Sequence, residues 1–300
     1  MEDVKLSMGW LPDLPSINDF TFDTDTVSAR ALAAGETMSV KGALKKTKAQ
    51  KAPSALPATV DLRAWCSPVE NQGALGSCTA NAGVGLVEYY ERRAYGIHID
   101  ASRLFLYKVS RNLLRWTGDT GAYLRTTMEA LAAFGVPPEN YLPYNVATFD
   151  VEPSAFCYSF ARNYQALQYY RLDPAGTTPP DLLLRIKTYL AANLPSMFGF
   201  TVYNSYGQAA TTGKIPLPVS SDKIAGGHAI VAVGYDDSVK IKNTNAGGVE
   251  TTGAILFRNS WGTGWGNAGY GWLPYEYLLR GLAVDWWSMT KSGWFNTGNF

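Results

Sequence analysis

An α+β fold is predicted, with a helical first half and a mainly β second half. Three observations carry that prediction. Between Cys78 and Asn193 the apolar residues recur at three- and four-residue steps, the period of an amphipathic helix. From Met197 onward they come instead in short runs bounded by Gly, Asn, Asp and Pro, the pattern of strands. Composition is that of a globular chain: 46% apolar and 17% charged over 300 residues can bury a sizeable core.

Residues 1 to about 40 show little helix or strand pattern. Gly9-Trp10-Leu11-Pro12-Asp13-Leu14-Pro15 reads as an extended, proline-punctuated stretch with one aromatic anchor. The basic run 41–51 reads as a solvated linker, and its sharper reading is a cleavable hinge. Residues 1–55 are therefore set apart as an N-terminal segment, and the globular part is expected to begin near Leu56-Pro57. A helix is predicted from Cys78 to about Tyr95, with Ala82, Leu86, Tyr89 and Tyr90 on one face, Ser77 as its N-cap and Gly96 as its stop. Further helices are predicted over Ser102–Leu114, over Leu124–Phe134 before Gly135-Val136-Pro137-Pro138, and over Asp181–Asn193 after Pro179-Pro180. Strands are predicted at Met197–Val202, His228–Tyr235, Ala254–Arg258 and Gly269–Leu273. A first lobe of about 56–165 and a second of 166–285 follow from that order. The aromatic stretch Trp286–Phe300 has no clear period and is left as a C-terminal tail; no internal repeat is visible.

Formal net charge is +1, so nothing in the overall charge attracts nucleic acid or an anionic membrane, and neither is an expected partner. No run of eighteen apolar residues is present, so no transmembrane helix is expected. No apolar h-region follows Met1, so a Sec-type signal peptide is not expected, which leaves the cytoplasm or a non-Sec route. Nine Trp and eighteen Tyr read first as core and cleft walls. Three cysteines are too few for a stapled scaffold. Cys78 is the natural odd one; Cys66 and Cys157 either pair or remain two buried thiols. Cysteines and histidines are scattered without ligand spacing, so no metal and no cofactor is expected.

One constellation carries chemistry. A thiol becomes a useful nucleophile when a helix N-terminus, an imidazolium and partial exposure lower its pKa, and Cys78 opens the strongest helix of the chain. His228, in Gly227-His228-Ala229, can supply the imidazolium and then act as an acid toward a leaving amine. Asn259 can hold the second ring nitrogen, and Trp261, two residues on, can cover that hydrogen bond. Oxyanion donors would be the Cys78 backbone N–H and the amide of Gln72, six residues upstream. Each residue alone has a bland explanation: a small buried hydrophobe for the cysteine, a turn for the asparagine. His98, in Gly96-Ile97-His98-Ile99-Asp100, has no motif around it and serves as the contrast.

These motifs resemble the papain-like cysteine peptidases, the family of papain and the cathepsins. Leu56-Pro57-Ala58-Thr59-Val60-Asp61-Leu62-Arg63 is similar to the start of a mature enzyme. Pro68-Val69-Glu70-Asn71-Gln72-Gly73 with Gly76-Ser77-Cys78 is similar to the nucleophile region, and His228 to Tyr235 to the histidine strand. Asn259-Ser260-Trp261-Gly262, Gly264-Trp265-Gly266 and Gly269-Tyr270-Gly271 match the asparagine region. The resemblance covers roughly residues 56 to 285. It implies a two-lobe fold, helical lobe and antiparallel β-barrel-like lobe, with the active-site cleft between them. It implies Cys78 as nucleophile, His228 as acid/base, Asn259 as orienter and Gln72 as oxyanion donor. It implies also that Gly121-Ala122-Tyr123-Leu124 binds an extended substrate backbone, with Tyr123 and Leu124 on one side of the S2 pocket and Gly199 and Ala229 on the other. Thr79, Leu75 and Gly227 depart from the family's usual aromatic, cysteine and Asp/Asn, and the short leader suits the prokaryotic branch.

The expectation is a monomeric cysteine endopeptidase acting on polypeptides through a thioester, with residues 1–55 as an inhibitory propeptide lying across its own cleft. Two rivals remain: the same thioester chemistry used for acyl transfer or deamidation, and a catalytically silent binding protein on this scaffold.

Overall fold

The computed structural model describes residues 8–47, 49 and 55–300. The N-terminal segment opens with a two-residue strand, β1 (Trp10–Leu11), and carries two short helices, α1 (Ala29–Ala33) and α2 (Val40–Lys45). Both are capped by serine: Ser28 Oγ accepts from Ala31 N–H and Ser39 Oγ from Gly42 N–H. The basic run is therefore not a solvated linker over its described part. Ala43 and Leu44 stand three and four residues from Val40, and all three are buried, while Lys45 and Lys46 are exposed. Lys48, Gln50 and Lys51 of the supposed hinge lie outside the described residues, as does the start of the chain through Ser7.

Strand β2 (Thr59–Asp61) follows, and then helix α3 (Cys78–Tyr95). Gly96 ends α3 at φ +69°, its N–H donating to Arg92 O at 2.8 Å, the left-handed stop that glycine adopts without strain. Ser77 does not cap the helix with its side chain. Its Oγ instead shares a 2.7 Å hydrogen bond with Tyr144 and accepts from Asn81 Nδ2 at 3.1 Å. Helix α4 (Arg103–Leu114), strand β3 (Ala122–Tyr123) and helix α5 (Leu124–Ala133) complete the helical layer, with α6 (Ala155–Ala161) at its rim. After β4 (Gln168–Arg171) comes α7 (Pro179–Ala191). It starts before Asp181 because Thr178 is the N-cap and the two prolines fill the first turn, where no N–H is needed.

The rest of the chain is β5 (Ser196–Tyr203), β6 (Ile224–Lys242), β7 (Glu250–Arg258), β8 (Tyr270–Pro274), α8 (Tyr275–Leu279), β9 (Ala283–Thr290) and α9 (Ser292–Phe295). The sheet is antiparallel and open, in the order β4-β9-β5-β6-β7-β8, with β2 on the far half of β6. The stretch Trp286–Phe300 is no tail: β9 lies between β4 and β5, with Trp286 and Trp287 fully buried and Trp286 stacked on Phe198 at 3.8 Å between ring centres. A strand covered on both faces shows no alternation, which is why its sequence has no period. Cys66 and Cys157 are free buried thiols, each directed at a carbonyl (Leu62 and Tyr141, both 3.7 Å). The helical layer meets the sheet where α3 packs across β6, which sets the start of α3 beside the first half of β6.

Candidate active site

Cys78 is the first residue of α3, and the loop before it is tied down from three directions. Gln72 N–H donates to Ser260 O at 2.8 Å, and Ser260 Oγ donates to Gln72 Oε1 at 2.5 Å. Gln72 Nε2 donates to Leu75 O at 2.8 Å, and Tyr144 OH donates to Gln72 O at 2.8 Å. Gly76 N–H donates to Asp119 Oδ1 at 2.9 Å, and Tyr107 OH donates to the same oxygen. A fully buried glutamine with both ends of its amide bonded has one orientation.

His228 lies on β6 opposite Phe200, and its neighbour Ala229 lies opposite Gly199. The Ala229 N–H points across the cleft at Cys78 Sγ, 3.4 Å away, so the histidine strand and the start of α3 touch at the thiol. His228 Nε2 and Asn259 Oδ1 are 2.8 Å apart. Ser260 N–H also donates to Asn259 Oδ1 at 2.8 Å. Only the oxygen of an amide can accept from a backbone N–H, so this bond settles which way Asn259 faces, and the proton of neutral His228 then sits on Nε2. Nδ1 is left as the lone-pair nitrogen, buried and without a hydrogen-bond partner. Trp261 stacks on the imidazole, centroids 4.4 Å apart and planes 20° from parallel, covering the His228–Asn259 bond. Asn259 leaves the end of β7, and Arg258 before it reaches to Pro68 O (2.6 Å) and Ser67 Oγ (3.1 Å), pinning the sheet to the helical layer.

The site is filled by the chain's own N-terminal segment. Gly9 N–H donates to Gly227 O at 3.1 Å, and Ala122 N–H donates to Gly9 O at 2.9 Å, so one residue bridges both walls of the cleft. β1 pairs in parallel with β3, Trp10 opposite Ala122 and Leu11 opposite Tyr123. A Cβ on Gly9 would lie 1.9 Å from Gly76 O, and one on Gly121 2.2 Å from Gly9 O; these backbones pass too closely for any side chain. The Trp10 indole lies on Gly199 and Gly227, where a Cβ would fall 1.9 Å and 2.8 Å from its ring atoms, and Nε1 donates to Asp285 Oδ2 at 3.0 Å. Leu124 is fully buried at the start of α5.

Beneath this cover both catalytic candidates are fully buried. Burial pushes the Cys78 thiol up to about 12, against the opposing pull of backbone N–H groups from Ala229, Thr79, Gly9 and Cys78 itself. Burial drives His228 down to about 4, only partly offset by Asn259. Both groups are therefore neutral near pH 7 in this arrangement.

Four residues that matter here have no role assigned from the sequence: Asp119, Tyr144 and Asp285, and Ser260, which is visible only as part of the asparagine motif. Asp119 sits in a Gly-rich turn 43 positions from the Gly76 it holds. Asp285 alone left a trace, as a single charge in the apolar run Leu282–Trp287. Away from the cleft, Glu70, Asp100 and Glu139 bring carboxylate oxygens within 4.8 Å of one another, but Arg103 is paired to Glu139 at 2.7 Å and to Glu70 at 3.1 Å and supplies the counter-charge.

A family profile for papain family cysteine proteases matches residues 56–277. The chain is 31% identical over 293 residues to an uncharacterised peptidase C1-like protein of Acanthamoeba polyphaga mimivirus, covering 95% of this chain and 86% of that one. It is 30% identical over 232 residues to cathepsin K of Gallus gallus, covering 72% of this chain and 58% of the cathepsin. Among solved structures it resembles xylellain, a cysteine protease from Xylella fastidiosa, with TM-score 0.72 and 31% identity over 97% of this chain and 98% of that one. Bromelain protease from Ananas comosus shares the fold at TM-score 0.57 and 20% identity, over 78% of this chain and 99% of that one.

Proposed function

This chain belongs to the papain family of cysteine proteases, and on that premise we propose that it is an endopeptidase of polypeptides, working through Cys78, His228, Asn259 and Gln72 and held as a zymogen by its own N-terminal segment. Cys78 Sγ gives its proton to His228 Nδ1, the lone-pair nitrogen, and attacks the scissile carbonyl carbon. The oxyanion is met by the Cys78 N–H at the start of α3 and by the Gln72 amide, donors of a kind worth about 10²–10³ in rate each. His228 returns the proton to the departing amine, leaving a thioester. Water, deprotonated by the same nitrogen, then hydrolyses the thioester and frees the carboxylic acid and the thiol. Asn259 and Trp261 keep the ring in one tautomer and one plane throughout.

The observation that carries this reading is the occupant of the cleft. Gly9 uses the Ala122 N–H and the Gly227 carbonyl, the two backbone groups that an extended substrate would use. The N-terminal segment runs the other way from a substrate. The side chain seated in the pocket, Trp10, follows the residue beside Cys78, whereas a P2 residue precedes the scissile bond. That polarity lets the segment fill the subsites without offering its own bond for attack. It also closes the site chemically, because a buried thiol and a buried imidazole stay neutral and form no ion pair.

The test uses the full chain and its Cys78→Ala variant with dipeptidyl-coumarin substrates and an epoxide thiol trap. Hydrolysis that rises as the N-terminal segment is released, with Cys78 labelled in step, is expected. Full activity in Cys78→Ala, or a full chain already at its maximal rate with the segment intact, would overturn the catalytic and the zymogen assignments respectively.

A further inference from the structure

The slot that holds Trp10 is floored by Gly199, which the motif resemblance placed in the S2 pocket, and by Gly227, and it ends at a residue that neither the helix–strand pattern nor that resemblance pointed to. Gly199 on β5 and Gly227 on β6 lie on one face of the sheet, because Gly199 pairs with Ala229, two residues along from Gly227. With no side chain at either, they form a flat bare strip on which a planar ring rests. At the end of the strip is Asp285, fully buried. The β5–β9 register slips there, from Met197 opposite Trp287 to Gly199 opposite Val284, and Asp285 takes φ +64°. A bulge with a left-handed residue turns a side chain out of its expected direction, and aspartate is among the few non-glycine residues that accept this conformation readily.

The carboxylate is held in place from behind. Oδ1 accepts from Trp287 Nε1 at 2.7 Å and pairs with Arg171 Nη1 at 3.1 Å. Arg171 is shared with Asp173, whose own oxygens accept the backbone N–H groups of Asp285 (2.7 Å) and Trp286 (3.0 Å). Oδ2 is turned to the slot, where it takes the indole N–H of Trp10. Arg171 already compensates the charge of Asp285, so what the slot offers is an oriented acceptor at the end of a flat apolar surface.

We infer that Asp285 is the specificity-determining residue of this protease, selecting at P2 a planar aromatic side chain that carries an N–H donor, tryptophan, over aromatics and aliphatics that lack one. The inference rests on the peptidase reading above and on the substrate's P2 side chain replacing Trp10 in the same slot. An acceptor left buried without its donor penalises every P2 residue that cannot supply one. Burial already lifts the Asp285 carboxyl to about 6, with Arg171 and the two indole donors opposing that shift, so removal of the donor is felt.

The experiment compares kcat/KM for coumarin dipeptides that share one P1 residue and carry Trp, 3-benzothienylalanine, Phe or Leu at P2. Benzothienylalanine keeps the bicyclic shape and replaces the N–H by sulfur. The enzyme is the full chain, taken after its rate has become constant, and the full-length Trp10→Ala variant alongside it. Trp is expected to exceed benzothienylalanine by about 10- to 100-fold, the worth of a hydrogen bond to a charged group. In Asp285→Leu that ratio is expected to collapse to near unity, and in Asp285→Asn, which keeps an acceptor, to fall part of the way. Equal turnover of Trp and benzothienylalanine by the unmutated enzyme overturns the inference while leaving the peptidase intact. No turnover of any member, with Cys78 unlabelled by an epoxide trap, overturns the peptidase reading and the inference with it. Because the first comparison needs no mutation at Asp285, an unfolded variant cannot rescue the idea.

Discussion

Trp10→Ala removes the anchor of the N-terminal segment, and its effect can be sized from the contacts. The indole is only 5% exposed, lies against two backbone strips and donates one hydrogen bond to a buried carboxylate. Truncating a buried Trp to Ala costs about 3–5 kcal/mol, so the segment should release roughly 10²–10⁴-fold more often. What remains to hold the segment is the pair of Gly9 backbone bonds, the cluster of Asp13 and Asp19 on Arg125, Leu14 O on Arg125 Nη2 and Asp13 O on Arg171 Nη2, and the buried stripe of α2. These pairs are largely buried, with side chains 5–26% exposed, so they keep the farther part docked while the Gly9–Trp10 stretch comes free. The assay is the second-order rate of Cys78 labelling by an epoxide trap, scored by intact mass so that only uncleaved chains count. A thermal melt run in parallel checks that the rest of the fold stands. Labelling that rises by the stated factor fits the docking seen here. A Trp10→Ala chain that is uncleaved, folded and labelled no faster than wild type would refute the argument that Trp10 holds the cleft shut.

Two further outcomes follow from the same geometry. Asp119→Ala leaves the Gly76 N–H and the Tyr107 hydroxyl without their acceptor, so stability should fall by about 1–3 kcal/mol and kcat should fall with it as the loop before Cys78 loosens; an unchanged melting temperature in calorimetry together with an unchanged kcat would remove Asp119 from the site. In the intact chain, with the thiol raised to about 12 and the imidazole lowered to about 4, the thiolate fraction near pH 7 is about 10⁻⁵. Iodoacetamide alkylation of Cys78 should then climb roughly tenfold per pH unit from about pH 6 to 9. Loss of the N-terminal segment should replace that slope with a plateau; fast, pH-independent alkylation of the intact chain would mean the ion pair forms beneath the cover.

Much of the candidate site was legible because each of Gln72, Cys78, His228 and Asn259, which the fold brings together, sits in a short local motif. The long elements were legible because one face of α3, α4 and α5 is continuously apolar. Features that depend on distant partners were not. Nothing near Asp119 says that it will hold Gly76, and nothing near Ser260 says that its N–H will fix the amide of Asn259. Lysines in 41–51 masked a buried stripe, since three apolar positions in a short helix are outweighed by charge in any composition count. The aromatic stretch after Val284 failed for the opposite reason: burial on both faces erased the alternation that marks a strand.

The hydrogen bond from Trp10 to Asp285 joins positions 275 residues apart. As the chain is synthesised, Trp10 is made 275 residues ahead of Asp285, and its socket is incomplete until β9 has been made and has inserted between β4 and β5. The same late strand supplies the acceptor at the end of the pocket. On the zymogen reading proposed above, the pocket and the docking of the segment that fills it are thus completed by one late strand.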